Sequence, residues 1–270
     1  MKKIKKIEYE NLSKSNELFF EEYISGFEKL LKSGWYILGK NVSDFENDFS
    51  TFNQSKYTVG LASGLDALHL SINSLNLDKN SEIIVPSNTY IATILAIINN
   101  GLIPVFVEPN IETYNIDPHK IEDKITKNTK AILVVHLYGK SCDMDPIKVI
   151  ANTYSLSIIE DCAQAHGAKY KGTNVGNFGT FGAFSFYPTK NLGALGDAGA
   201  ITTNSLINRD NIKRLRNYGS DIKYYNEVLG YNSRLDEIQA YFLSIKLKYL
   251  NKITEHKRSL ASIYINNISD

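Results

Sequence analysis

Six short apolar runs, at residues 82–86, 103–107, 131–136, 156–160, 181–186 and 198–203, alternate with helical patterns at 64–75, 89–99, 118–124, 145–154 and 206–216. Strands this short and this apolar are buried on both faces, and parallel neighbours need a crossover element between them. The alternation predicts an α/β domain whose mostly parallel sheet is covered on both sides. Ahead of it, residues 17–32 place apolar side chains at 19, 20, 23, 24, 27, 30 and 31, a helical face stopped by Gly34. Ser43 reads as the cap of a second short helix ending near residue 52. Residues 169–180 (KYKGTNVGNFGT) read as a hairpin or loop insertion. After residue 217 come tyrosine-rich turns, then helices over 234–250 and from 252 onward. The expected division is N-terminal helices plus a large α/β domain over 1–230, and the start of a smaller, truncated domain over 231–270.

Composition narrows the function by exclusion. The 270 residues carry a formal net charge of +1, which leaves no electrostatic footprint for nucleic acid. No apolar run approaches the ~20 residues of a membrane helix. The start, MKKIKKIEYENLSKS, is basic but lacks the apolar stretch of a secretion signal. Two cysteines, Cys142 and Cys162, are too few for a disulfide framework or a metal knuckle. The expected location is the cytoplasm.

In open α/β sheets ligands lie beyond the carboxyl ends of the strands, so the residues just past each strand are where chemistry is sought. Four such places carry it. In Leu61-Ala-Ser-Gly-Leu-Asp-Ala-Leu68, small residues open a helix whose free N–H groups suit a phosphate, although a plain helix cap has the same look. In Val85-Pro-Ser-Asn-Thr-Tyr-Ile-Ala-Thr93, Tyr90 falls in the first turn of a helix and can stack on a planar ring or simply pack. In Ile159-Glu-Asp-Cys-Ala-Gln-Ala-His-Gly167, Glu160 and Asp161 stand at the sheet edge. A carboxylate against a pyridine nitrogen keeps that ring protonated, and Gln164 can donate to a phenolic oxygen beside it. His166 reads as a satisfied structural histidine, and a metal site at the acidic pair lacks companions at ligand spacing. The fourth place is Lys190, on a Gly-rich loop five residues past Ser185, where an amine can condense with an aldehyde. A lone lysine in such a loop is usually a solvated surface residue, but the four features occur in strand-end order around one sheet. Together they suit pyridoxal phosphate.

The motifs EDCAQAHGA (160–168), FSFYPTKNLGALGDAGA (184–200), RLRNYGS (214–220) and LGYNSRLDEIQA (229–240) resemble the DegT/DnrJ/EryC1/StrS sugar-nucleotide aminotransferases. The likeness covers essentially the whole chain and implies the aspartate-aminotransferase fold (fold type I), with a seven-stranded sheet. YENL (9–12) and SGWYILG (33–39) are most similar to transaminases making dTDP-3-amino-3,6-dideoxyhexoses. The resemblance implies that Lys190 holds pyridoxal 5′-phosphate as a Schiff base and then shuttles protons, with Asp161 at the ring nitrogen. It implies Gln164 near the phenolic oxygen, Tyr90 on the ring, and Ser63, Gly64, Leu65 and Ser185 at the phosphate. Asn232 would reach the phosphate of a neighbouring subunit, so a homodimer with shared sites is implied. The implied reaction moves an amino group from an amino acid, L-glutamate, to a dTDP-linked 3-keto-6-deoxyhexose, for surface polysaccharide or glycoconjugates. The alternatives are a C4-aminating transaminase or a catalytically incomplete fragment or binding protein of the same fold. Lys190 itself argues against the dehydratases of the family, which carry histidine there.

Overall fold

The structure, a computed structural model, describes residues 8–222 and 224–268; the basic start of the chain and its last two residues lie outside the described residues. Three helices lead in: α1 (Leu12–Asn16), α2 (Phe20–Ser33) and α3 (Lys40–Asn53). The alternating part comes next as β1 (Tyr57–Leu61), α4 (Gly64–Ser74), β2 (Glu82–Pro86), α5 (Ile91–Ile98), β3 (Ile103–Val107), β4 (Thr129–Val135), α6 (Met144–Thr153) and β5 (Ser157–Asp161). A two-residue hairpin, β6 (Lys169–Tyr170) and β7 (Thr173–Asn174), precedes β8 (Phe181–Ser185), β9 (Gly199–Thr203) and α7 (Leu206–Leu215). A second small hairpin, β10 (Ser220–Ile222) and β11 (Tyr225–Asn226), leads to α8 (Glu237–Leu247) and α9 (Leu250–Asn267). No helix among the described residues is long and apolar enough to cross a membrane.

The main sheet has seven strands in the order β1-β9-β8-β5-β4-β2-β3. β8, β5, β4, β2 and β3 run parallel, and β9 is antiparallel to both of its neighbours. Side chains alternate across each strand, so one sequence parity faces each side. Val59, Leu61, Ile83, Val85, Leu133, Ile159 and Ala183 pack with α4, α5 and α7 on one side. Ile84, Ile132, Val134 and Ile158 meet α6 on the other, where Phe184 and Ala200 also meet α3 and α8. Double coverage is why these strands read as unbroken apolar runs.

Three expectations need correction. The pattern at 118–124 is two 3-10 turns, Pro118–Lys120 and Glu122–Lys124, because a segment this short does not sustain an α-helix on its own. α3 starts at Lys40, three residues before the expected Ser43 cap. Its orphan N–H groups are met from a distance: the Glu237 carboxylate accepts from Gly39, Asn41 and Val42 at 2.7, 2.9 and 2.9 Å. β1 is not visible in the sequence as an apolar run. It is an edge strand held by tertiary contacts: Glu46 accepts the Gly60 N–H at 2.9 Å, and Arg216, paired with Glu46 at 2.5 Å, donates to the Gly60 carbonyl. A Cβ at Gly60 would lie 2.8 Å from Leu235, so the close approach of that side chain requires glycine.

Candidate active site

The carboxyl ends of β1, β2, β5 and β8 lie along one sheet edge, and a cavity of about 720 Å³ opens there. That is an ordinary size for a cofactor site. It is lined by Ser63, Gly64 and Leu65 at the start of α4, and by Tyr90 ahead of α5. Asp161, Gln164, Ser185 and Lys190 complete the wall. Eight of the nine residues expected at the site therefore meet in one cavity.

The α4 end presents free hydrogen-bond donors to the cavity. Ser63 caps the helix, its Oγ accepting from the Asp66 N–H at 3.1 Å. Among the described residues the N–H groups of Gly64 and Leu65 have no acceptor. They stand at the positive end of an 11-residue helix. A Cβ on Gly64 would fall 2.5 Å from the Ser185 Cβ, so glycine brings the β8 hydroxyl against the helix start.

Asp161 is 6% exposed. Its Oδ2 accepts from the Thr93 hydroxyl at 2.8 Å and its Oδ1 from the Ala163 N–H at 3.1 Å. Burial raises its pKa above the usual carboxylate value, opposed by those two hydrogen bonds and by the Lys190 charge. Burial in turn lowers the Lys190 amine, opposed by Asp161. A buried acid and an amine of altered proton affinity in one cleft mark a candidate functional site. Sequence reasoning misses Thr93, because a buried threonine on a helix carries no signal until the strand end it faces is known.

Tyr90 is the residue before the first helical turn rather than within it, and it is 75% exposed, with its ring free to cover a ligand. Gln164 accepts the Tyr138 N–H at 2.7 Å through Oε1, which leaves its amide N–H groups as the donors. His166 is buried against Phe184 and Phe186, ring centroids 5.7 and 5.6 Å away, and burial takes its imidazole down to about 3. The expected satisfaction is not found: neither ring nitrogen makes a well-formed hydrogen bond, and the Ser185 backbone alone approaches as a hydrogen-bonding group. Asn232 does not line this cavity. It is exposed and lines a neighbouring one of about 400 Å³ with Ala62 and Arg234; Asp197 lines both.

Glu160 does have companions that the sequence did not bring to light: His136 and Cys162, with ligand atoms within 4.8 Å of one another. Their roles are taken by the fold. Glu160 accepts from Gly176, Phe178 and Gly179 N–H groups, each at 2.7 Å, and faces His136 Nε2 at 3.1 Å. His136 Nδ1 accepts the Cys142 N–H at 3.1 Å. Burial pushes the Cys162 thiol up to about 12, so it stays protonated. The group is a hydrogen-bonded brace for the 176–179 loop.

The cavity fits pyridoxal phosphate by the chemistry of its lining: free N–H groups and hydroxyls at the α4 start, a buried carboxylate, an amine and an exposed aromatic ring. Residues 19–270 match the DegT/DnrJ/EryC1/StrS aminotransferase family. The chain is 54% identical to the dTDP-3-amino-3,6-dideoxy-α-D-galactopyranose transaminase of Aneurinibacillus thermoaerophilus, over 98% of this chain and 73% of the relative. It is 44% identical to the dTDP-3-amino-3,4,6-trideoxy-α-D-glucose transaminase of Streptomyces venezuelae, over 89% of this chain and 64% of the relative. The crystal structure of S. venezuelae DesV in complex with a ketimine intermediate superposes with a TM-score of 0.92 at 42% identity, covering 95% of this chain and 69% of that one.

Proposed function

The chain belongs to the DegT/DnrJ/EryC1/StrS aminotransferase family, whose enzymes use pyridoxal phosphate, and on that premise we propose that it moves an amino group from L-glutamate to C3 of a dTDP-linked 3-keto-6-deoxyhexose. The product would serve the building of amino sugars. The observation that carries the chemistry is that Lys190 shares one cavity with a buried Asp161 held by Thr93 and the Ala163 N–H. The choice of sugar is supported by the names of the two dTDP-sugar transaminases above.

Gly64 and Leu65 N–H groups, with Ser63 and Ser185, hold the phosphate; Tyr90 covers the ring; Gln164 donates to the phenolic oxygen. Bound pyridoxal phosphate supplies a protonated pyridine ring that draws electrons from the carbon losing its proton. Asp161 keeps the proton on that ring's nitrogen, and Thr93 and the Ala163 N–H keep Asp161 charged and fixed. Lys190 is the covalent anchor. Once an amino donor displaces it, its Nζ would move a proton from the donor carbon to the cofactor's aldehyde carbon, and in the second half-reaction from that carbon to the sugar carbon that receives the amine. Desolvation favours the neutral, basic form of the amine.

The working unit is a homodimer in which Asn232, outside its own chain's cavity, reaches the phosphate end of the partner's. Glutamate labelled with ¹⁵N on the amine, supplied with the 3-keto sugar nucleotide and pyridoxal phosphate, tests the reaction. The label is expected on C3 by NMR. Label on C4 of a 4-keto substrate alone, or none on either sugar, contradicts the proposal.

A further inference from the structure

The loop that carries Lys190 is closed on itself and then fastened from outside. Its backbone turns back through Lys190 N–H to the Tyr187 carbonyl and Ala194 N–H to the Phe186 carbonyl, both 2.8 Å. Gly193 lies so close to Pro188 that a Cβ would meet its carbonyl oxygen at 2.2 Å. Three side chains from the two helices after the tyrosine-rich turn reach this loop. Lys246 Nζ donates to the Gly193 carbonyl at 2.7 Å, Gln239 Oε1 accepts the Leu195 N–H at 2.9 Å, and Lys257 Nζ donates to Asn191 Oδ1 at 2.7 Å.

Gln239 and Lys246 are seven residues apart on α8, two turns along one face. Gln239 is also in close contact, since a Cβ on Gly196 would lie 2.8 Å from its Nε2. Lys246 is only 8% exposed. A buried ammonium is costly unless its donors are used, and an apolar side chain would pack there at less cost. Burial lowers its pKa to about 8. The same helix carries Glu237, which fixes the start of α3, so α8 is tied to the rest of the core at its first turn.

We propose that Lys246 and Gln239 are positioning residues for Lys190: α8 clamps the 187–198 loop and thereby sets where the amine stands relative to Asp161. The inference rests on Lys190 being the cofactor's anchor. Neither side chain lines the cavity that Lys190 and Asp161 share.

The test uses the full chain and three variants: Gln239→Leu, which removes the acceptor; Gln239→Glu, which keeps one; and Lys246→Met. Amide exchange is read at Lys190 and Ala194, whose own acceptors are untouched by the substitutions, with β4 and β5 as internal references. Gln239→Leu and Lys246→Met are expected to speed exchange at both amides by about ten-fold or more while β4 and β5 keep the parent rates. Gln239→Glu is expected to restore protection. In cofactor-loaded protein, the fraction fixed to Lys190 by borohydride should fall in Gln239→Leu and return in Gln239→Glu. Unchanged exchange at the two amides, a rise shared by β4 and β5, or no rescue by Gln239→Glu overturns the clamp. If Lys246→Met does not fold, the Gln239 pair decides. Exchange is measured without cofactor, so its failure counts against the clamp alone; absence of any fixation at Lys190 in the parent counts against the anchor assignment.

Discussion

Glu160 and Asp161 are neighbours in β5, both nearly inaccessible to solvent, and they face opposite sides of the sheet. Asp161 meets Thr93 on the α5 side, within the cavity; Glu160 meets His136 and the 176–179 backbone on the other. The two-residue period of a strand separates two chemically similar groups into one that lines the cavity and one that braces the fold. The pair is a divided function, not a dyad.

Asp161→Asn is expected to separate stability from activity. The folded carboxyl has a raised pKa, so this group contributes stability at low pH that is lost as pH rises through the folded value. At neutral pH the cofactor-free protein therefore carries an unfavourable buried charge, and the amide should raise or leave unchanged its thermal midpoint. Turnover should fall by about two orders of magnitude or more, because a transition-state charge interaction is lost. Calorimetry with a transamination assay checks both.

Glu160→Gln is expected to act in the opposite way, through the fold. Four donors converge on the carboxylate, two on each oxygen, and an amide would aim N–H against N–H at the two served by the oxygen it replaces. The expected loss is about 3 kcal/mol in denaturant unfolding, from a buried charge-assisted network. The surviving folded protein should still bind cofactor at Lys190.

Gly64→Ala is expected to weaken cofactor binding without unfolding the chain. Gly64 is not in the left-handed region, so the backbone accepts alanine. The added methyl collides with Ser185 and pushes the α4 start away from β8. An increase of about ten-fold or more in the dissociation constant of pyridoxal phosphate, by absorbance titration, is expected from ~1.4 kcal/mol of lost phosphate contacts.

Mixing Lys190→Ala with Asn232→Ala chains tests the shared site. If Asn232 serves the partner's phosphate, hybrid dimers hold one site with both defects and one with neither. Activity should then reappear, given that each variant alone is inactive and that subunits exchange. No rescue in verified heterodimers would contradict the arrangement.

Much of the fold and the cavity wall is legible in the sequence. Strand runs such as Ile83–Val85 and Leu133–Val135 announce themselves because both faces are apolar. Asp161 and Lys190 stand out because each lies at or just beyond the end of a legible strand, and Ser63 because small residues there open a helix. β1 is not legible, since its place depends on Glu46 and Arg216, which are 170 residues apart. The α3 cap is misplaced for the same reason: Glu237 lies 195 residues beyond Val42. Local pattern locates the elements, while the contacts that fix Thr93 on Asp161 or Lys246 on the lysine loop exist only once the sheet is assembled.

The most direct test is covalent. Protein loaded with pyridoxal phosphate, reduced with borohydride and digested, should yield one peptide carrying the reduced cofactor, with the modification on Lys190. Lys190→Ala should yield none. Modification at another lysine, or equal labelling of the Lys190→Ala protein, would contradict the assignment of Lys190 as the group on which the chemistry turns.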